Sequence, residues 1–328
     1  MASTARLVRS LAVLGAAAAA LGQPAGAQTQ AYPSKPVRTV VAFAAGGFAD
    51  TVARLIGQKL SERLGQPVIV ENRGGAGGNI AARQVVGSAP DGYTLLVHTA
   101  AISINPSLYR NPGFDLLNDL VPVSNTGSTP GLFAVHSSNG ANSLRDLISA
   151  HKGKRLTFST AGVGTSSHLA GEYLFKVLAG LDAVHVPFQG GAPAITAVVS
   201  NQVDVISGSM PPVAPFVRKG SLKALGVSSL QRVNGLPDVP TVSEAGFKDF
   251  EERSWVGYFA PAKTPADVVQ RLNAGISQVL ALPDIRERFT ALGMDPHPGS
   301  PAEFAGYVRK EMTKWATIVK TTGIPQVE

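Results

Sequence analysis

Three loops in the sequence gather glycines with hydroxyl and amide side chains, and each lies between a strand-like and a helix-like segment. The first runs from Ala44 to Asp50 and carries Gly46, Gly47 and Phe48. Glycine lets a backbone approach a ligand closely and take positive φ. Asp50 fits an N-cap, which would leave other first-turn amides aimed outward. A tight turn with an ordinary cap explains this loop equally well. The second runs from Ser159 to His168, with Gly162, Gly164, Thr165, Ser166 and Ser167 leading into a helix start. Such a cluster suits a carboxylate held by hydrogen bonds alone. It is not a phosphate loop, since no Gly-Lys-Ser/Thr follows. His168 reads as a ligand contact, or more blandly as a hydrogen-bonded histidine. The third runs from Phe188 through Gln189, Gly190 and Gly191 to Pro193, which fits a first helical turn.

Other chemistry is missing from the pattern. Gly75 and Gly77 open a dinucleotide fingerprint, but Ile80 stands where its third glycine belongs. There is no Gly-x-Ser-x-Gly elbow and no His-Glu-x-x-His. The six histidines are scattered, without the i, i+4 spacing of a helical metal site. No metal and no cofactor is expected. A serine–histidine site assembled in space stays open, because such sites are defined by geometry. The chain has no cysteine, which removes disulfides, a thiol nucleophile and a lipid anchor on an N-terminal cysteine.

The elements that must position these loops alternate. Val37 to Phe43, Val68 to Asn72 and Thr94 to Thr99 read as strands, with helices from Asp50 to Leu64 and Asn79 to Ser88 between them. This βαβαβ order implies a parallel sheet covered on both faces. A second such rhythm runs from Leu132 to Ser228. It includes a helix from Ser167 to Leu178 whose Leu169, Tyr173, Leu174, Val177 and Leu178 are expected to face inward. The end is helical from Ala266, after a last strand at Trp255 to Phe259. The first sheet lacks helices of its own, so the last helices are expected to return to it. The chain then crosses twice, near Thr129 to Leu132 and near Arg253 to Tyr258. Two crossings make a hinge, and the cleft between the lobes is the default ligand site.

The N-terminus reads as an address. Arg6 and Arg9 precede an apolar run from Leu11 to Leu21, and Ala25-Gly26-Ala27 is a small-x-small cleavage site. The mature chain is expected to begin at Gln28, in the periplasm and without a lipid anchor; a retained N-terminal anchor is the alternative. Removing the two arginines lowers the net charge from +7 to +5. That field steers small anions inward, or simply keeps the protein dissolved. Nucleic acid is not an expected partner, since the basic residues are dispersed and aromatics are few.

The ordered set of motifs resembles the substrate-binding receptors of tripartite tricarboxylate transporters, the Bug or TctC-like extracytoplasmic receptors. The resemblance runs from about Tyr32 to the C-terminus. It rests on Tyr32-Pro33-Ser34-Lys35-Pro36-Val37, Gly46 to Asp50, Val70-Glu71-Asn72-Arg73 with Gly74 to Ile80, Pro90 to Leu95, Asn105 to Tyr109, Gly164 to Glu172, Val186 to Ala194 and Pro237 to Thr241. It implies an α/β, two-lobed periplasmic-binding-protein fold of the type II, Venus-flytrap kind with two interdomain crossovers. The expected division is a signal peptide over 1–27, lobe I over 28–131, lobe II over 132–254, and a return strand with C-terminal helices over 255–328. It also implies a small carboxylate ligand, clasped by Gly46 to Asp50, Gly164 to His168 and Gln189 to Gly191. The candidate ligand-binding set is Phe43, Gly46, Gly47, Phe48, Asp50, Gly164, Thr165, Ser166, Ser167, His168, Gln189, Gly190 and Gly191. The expected partners are membrane transporter subunits, with the receptor a monomer and not an enzyme. The family's first loop usually has prolines before its glycines and a small residue or proline after them. Here Ala44-Ala45 precede and Phe48 follows, and Gln189 sits where lysine is common. These departures imply a less cationic pocket for an acid with an apolar or aromatic body. A stand-alone sensor or scavenging receptor, and a periplasmic hydrolase, are the rival readings.

Overall fold

Strands and helices alternate here because the apolar residues switch between two spacings. Val37–Val41 (β1) is a β-branched run that is almost entirely buried, as in a strand covered on both sides. Phe48–Leu64 (α1) buries Val52, Ile56 and Leu60, four residues apart, and ends at Gly65, whose φ of 67° closes it as a left-handed cap. Val68–Asn72 (β2), Asn79–Val86 (α2) and Thr94–Thr99 (β3) complete a parallel unit in the order β2-β1-β3. Ala101–Leu108 (α3) and Leu116–Asp119 (α4) lead into Leu120–His136 (β4). Only the last five residues of this strand, Leu132 to His136, carry a strand pattern in the sequence. Its first part is rich in Pro, Ser, Asn, Thr and Gly, and two bulges shift its register.

The computed structural model describes residues 32–328, so the signal peptide read over 1–27 lies outside the described residues. Among those described, no helix is long and apolar enough to cross a membrane.

The second half repeats the rhythm with Leu144–Ala150 (α5), Leu156–Thr160 (β5), Ser166–Gly171 (α6), Ala183–Pro187 (β6), Gly191–Val199 (α7), Val205–Ser209 (β7), Met210–Arg218 (α8) and Leu222–Val227 (β8). Strand β5 runs parallel to β6 and β7, while β7 and β8 pair antiparallel with the end of β4. Along β4, Phe133 and Val135 enter a core with Phe158, Phe175 and Phe250. Leu132 and Ala134 enter another with Ile195, Met210 and Val213. Both faces of the strand are covered, at a period of two. One expectation fails here. After α6 the helix widens into a π turn over Glu172–Leu178, which shifts the inward face. Leu174 and Phe175 are buried, while Tyr173, Val177 and Leu178 are exposed.

Arg253–Pro261 (β9) pairs antiparallel with β3, and with β4 from Leu120 to Pro130. From Gly131 onward the partners of β4 are β7 and β8. The chain therefore passes between sheets inside β4 and comes back at the start of β9, giving lobe I and lobe II. Ala266–Leu280 (α9), Pro283–Ala291 (α10), Asp295–Pro296 (β10) and Pro301–Thr322 (α11) finish the chain. Helix α9 lies on α1 so closely that a Cβ at Gly275 would stand 2.8 Å from Leu60. Helix α11 opens with a Ser300/Glu303 capping box and packs Trp315 and Val319 on Ile104 and Leu108 of α3.

Candidate functional site

A cavity lies between the lobes, lined from lobe I by Phe43, Phe48, Ala49, Thr99 and Ser254. Lobe II supplies Ala161, Thr165, Ser166, Ser167, Gly191, Ile195, Ile206, Gly208, Ser209, Pro212 and Val213. Among the described residues, no lysine, arginine, histidine or carboxylate lines it. Its polar groups are hydroxyls and backbone amides, and its walls are aliphatic and aromatic.

The first loop is built around Asp50. The sequence reading made Asp50 the N-cap, but the cap is Gly47, which has no side chain to spend on the helix. Asp50 folds back instead. Its carboxylate accepts from the Gly46 amide at 2.8 Å, from Asn72 at 2.9 Å and from Arg54 at 3.0 Å. Burial pushes this carboxyl up, yet those three donors together hold it below the usual carboxylate range. Asn72 also donates to the Phe43 carbonyl at 2.9 Å. This brace fixes the loop and leaves the first amides of α1 uncapped beside Phe48 and Ala49. Across the cleft, α7 begins at Gly191 with Gly190 as a second cap that has no side chain. Two uncapped helix N-termini thus face one cavity from opposite lobes, an arrangement that favours negative charge between them. The start of α8 does not add to this. Pro211 and Pro212 carry no N–H, so that wall is apolar.

The hydroxyl loop is equally ordered. Thr165 donates to the Gly162 carbonyl at 2.7 Å and accepts from the His168 amide at 3.2 Å. Its hydroxyl lies 3.1 Å from that of Ser167. With the Thr165 proton committed to Gly162, Ser167 keeps its own proton for a partner or an anion. Ser207 donates to the Ser167 carbonyl at 2.8 Å and ties the loop to β7.

The lobes are in contact along the cleft. Ala44 donates its amide to the Gln189 carbonyl at 3.1 Å, and Tyr109 reaches the Val163 carbonyl at 3.3 Å. A Cβ at Gly190 would stand 2.7 Å from Ala44 Cβ, and one at Gly74 would stand 2.9 Å from the Gln189 oxygen. The central cavity encloses about 30 Å³, room for roughly one or two waters.

The family model for the tripartite tricarboxylate transporter family receptor matches residues 52–324. The chain belongs to that family. Three solved structures are similar over nearly their whole length. The periplasmic binding protein BugD is 35% identical, with a TM-score of 0.86, over 90% of this chain and 99% of that one. Rpa4515 of R. palustris with adipate is 33% identical, with a TM-score of 0.87, over 90% and 100%. MatC of Rhodopseudomonas palustris with bound malate is 35% identical, with a TM-score of 0.82, over 88% and 100%. The two-lobed periplasmic-binding-protein fold is thereby established, and relatives of this receptor family bind carboxylates.

Within this family receptor, Phe43, Phe48, Thr165, Ser166, Ser167 and Gly191 are brought together at the central cavity. Gly46, Gly47, Asp50, Gly164 and Gly190 are not on its wall; they shape and brace the loops behind it. Gln189 lines a neighbouring cavity of about 200 Å³ with Tyr109, Val163, Phe188 and Gly75 to Gly78. The glycine run set aside as a defective fingerprint therefore sits at the cleft. Thr99, Ile195, Ile206, Pro212, Val213 and Ser254 escaped the sequence reading, because they lie on strand ends and helix starts that no loop motif marks.

His168 points away from the cavity. Its ring stacks on His185, with centroids 4.0 Å apart, and its Nδ1 accepts from the Gly164 amide at 3.4 Å. Burial, with the Lys176 charge nearby, pushes His168 down to about 4. Burial, helped by His168 and Lys176, pushes His185 down to about 2. Both rings are neutral near pH 7. Glu172 joins them, and the three offer donor atoms within 4.8 Å of one another, a grouping that can hold a metal. Each already has a partner: Glu172 takes Lys176 at 2.6 Å, and His185 takes Thr160 at 2.7 Å. The cluster props up the hydroxyl loop from behind. No serine–histidine pair lines the cavity among the described residues, and members of the family are receptors.

Proposed function

We propose that this protein captures a small carboxylate between its lobes in the periplasm and hands it to a tripartite tricarboxylate-type membrane transporter. One observation carries the reading. A cavity without a charged side chain is flanked by two uncapped helix N-termini and a row of hydroxyls, each from a braced loop. An anion placed there gains amide and hydroxyl donors from both lobes at once. Ligand then stabilises the shut form by its differential affinity for that form. The candidate set from Phe43 to Gly191, the signal peptide ending at Ala27, the lobe boundaries near 131 and 254, a monomeric state and the lack of catalysis all belong to this proposal.

The wall also selects the body of the ligand. Phe43, Phe48, Ile195, Ile206, Pro212 and Val213 offer no hydrogen bonds. A further carboxylate buried against them would lose its hydration without a partner. The reading therefore favours an acid with an aliphatic or aromatic body over a tricarboxylate.

A thermal-shift screen against benzoate, adipate, malate, citrate and aspartate tests the proposal. Saturation at 100 times Kd stabilises the native state by about 2.7 kcal/mol, a rise of several degrees. The expected result is a saturable rise with benzoate or adipate that exceeds the rise with citrate. Citrate leading the panel would overturn the apolar-bodied reading, and no rise with any acid would overturn carboxylate capture.

A further inference from the structure

Glu252 is the last residue before β9, where the chain returns to lobe I, and its carboxyl is buried. The Ser228 hydroxyl accepts from the Gly131 amide at 2.6 Å. It lies 2.5 Å from the Glu252 carbonyl oxygen and 3.1 Å from Glu252 Oε2. A serine hydroxyl has one proton to give. The shorter contact takes it, because a carbonyl oxygen has none of its own. A proton on the carboxyl would satisfy the contact with Oε2, which Ser228 otherwise shares with its bond to the carbonyl. Oε1 has no hydrogen-bond partner and is closed off from solvent, a setting that penalises charge. Burial drives this carboxyl well above the usual range, against the pull of Ser166, Ser228, Lys314 and the Gly131 amide.

The charged neighbours do not reverse this. Lys314, on α11 of lobe I, places its ammonium 3.4 Å from the Glu311 carboxylate. Asp249 and Glu251, on the same segment as Glu252, line a groove with it and Lys314. Arg253 is paired with Asp295. Strand β4, helix α6 and the end of β8 present Gly131, Ser166 and Ser228 to it.

We propose that Glu252 is a neutral acid while the lobes are shut and gives its proton to water when they part, so that closure takes up a proton. Its position supplies the coupling. Ser166, which lines the central cavity, faces it from lobe II, and Lys314 faces it from lobe I. Leu169 and Ala170 of α6 line one groove with Glu252 and with Lys314, Trp315 and Ile318 of α11, so drawing α6 away from α11 would open this seam to water. The carboxyl O–H bond then breaks to leave a carboxylate and a hydrated proton. Closure is then favoured at low pH. It weakens by up to tenfold per pH unit above about 4.3, the ordinary value for this side chain, until the shut form itself titrates. The inference rests on the hinge closure proposed above, but its test uses no ligand, so the two can fail separately.

The chain has no cysteine, so Gly47→Cys with Gly191→Cys places a single pair across the cleft. A Cβ at Gly191 would lie 3.7 Å from Gly47 Cα, within disulfide reach. Infrared spectra of the oxidised, shut protein at pH 7 are expected to show the carbonyl stretch of a protonated carboxyl. The band should weaken on reduction and vanish when Glu252→Gln is added. No such band in the oxidised protein, or a band that survives Glu252→Gln, would overturn the proposal. If the cysteine pair misfolds, thermal melts of the wild type and Glu252→Gln between about pH 5 and pH 8 decide. The glutamine amide replaces the acid as donor to Ser228 and does not titrate. The advantage of Glu252→Gln is expected to grow with pH, because a raised folded-state pKa means stability lost as pH rises. An advantage that is constant or shrinks contradicts the proposal.

Discussion

His168 shows how far a single residue can be read. Its type and place beside the hydroxyl loop marked it for attention, but its partners did not follow from sequence. Glu172 is one helical turn away, while His185 arrives on another strand, and no spacing rule links the two histidines. Their burial makes a prediction of its own. A histidine whose pKa is lowered on folding adds stability that is fully present above its unfolded value, 6.5, and is lost as pH falls toward about 4. The shift at His168 is worth up to about 3 kcal/mol. Thermal melts should therefore be flat near neutrality on its account and fall below about pH 6.5. His168→Gln is expected to make that acid limb shallower, with the part due to His185 remaining; an unchanged limb would show that the ring protonates freely in the native state. This dependence runs opposite to the one expected of Glu252, so the two variants separate the contributions.

Among the elements, the short parallel strands and the long terminal helices were legible because their apolar periods are clean. The first part of β4 was not, since a strand buried on both faces yet rich in Pro, Ser and Gly looks like a loop. Helix α3 went unread for the same reason, its Pro106 standing against the helical pattern. The loops bearing the candidate site were found by composition, whereas the walls facing them belong to elements whose ends no motif marks. Gly74 tests how the lobes meet. The Gln189 carbonyl, 2.9 Å away in the other lobe, crowds a Cβ there most, with the Ala44 amide at 3.5 Å and the Gln189 Cβ at 3.7 Å next, and its backbone is not in the left-handed region. Gly74→Ala is expected to leave the ligand-free melting temperature nearly unchanged and to weaken acid binding about tenfold or more, read by calorimetric titration. Equal affinity would mean that the shut form does not bring these two residues together in solution.

For the whole molecule, residues Lys35–Glu328 hold together as one compact unit, because contacts such as Ala44 to Gln189 bridge the lobes. The proposed opening would bend the chain at Pro130/Gly131 and near Arg253, where the sheets exchange chains. The proposed closing around a ligand fits that construction, and so does a proposed opening beforehand, since the central cavity measures about 30 Å³. The most direct test is calorimetric titration of the Gly47→Cys/Gly191→Cys protein with the acid that most raises the wild-type melting temperature, reduced and then oxidised. The reduced protein should bind saturably, though more weakly than the wild type because Gly191 lines the cavity and Gly47 caps α1. The oxidised protein should lose binding by a further hundredfold, or about 2.7 kcal/mol, with recovery on re-reduction. Equal binding in both states would contradict capture between the lobes and place the ligand elsewhere.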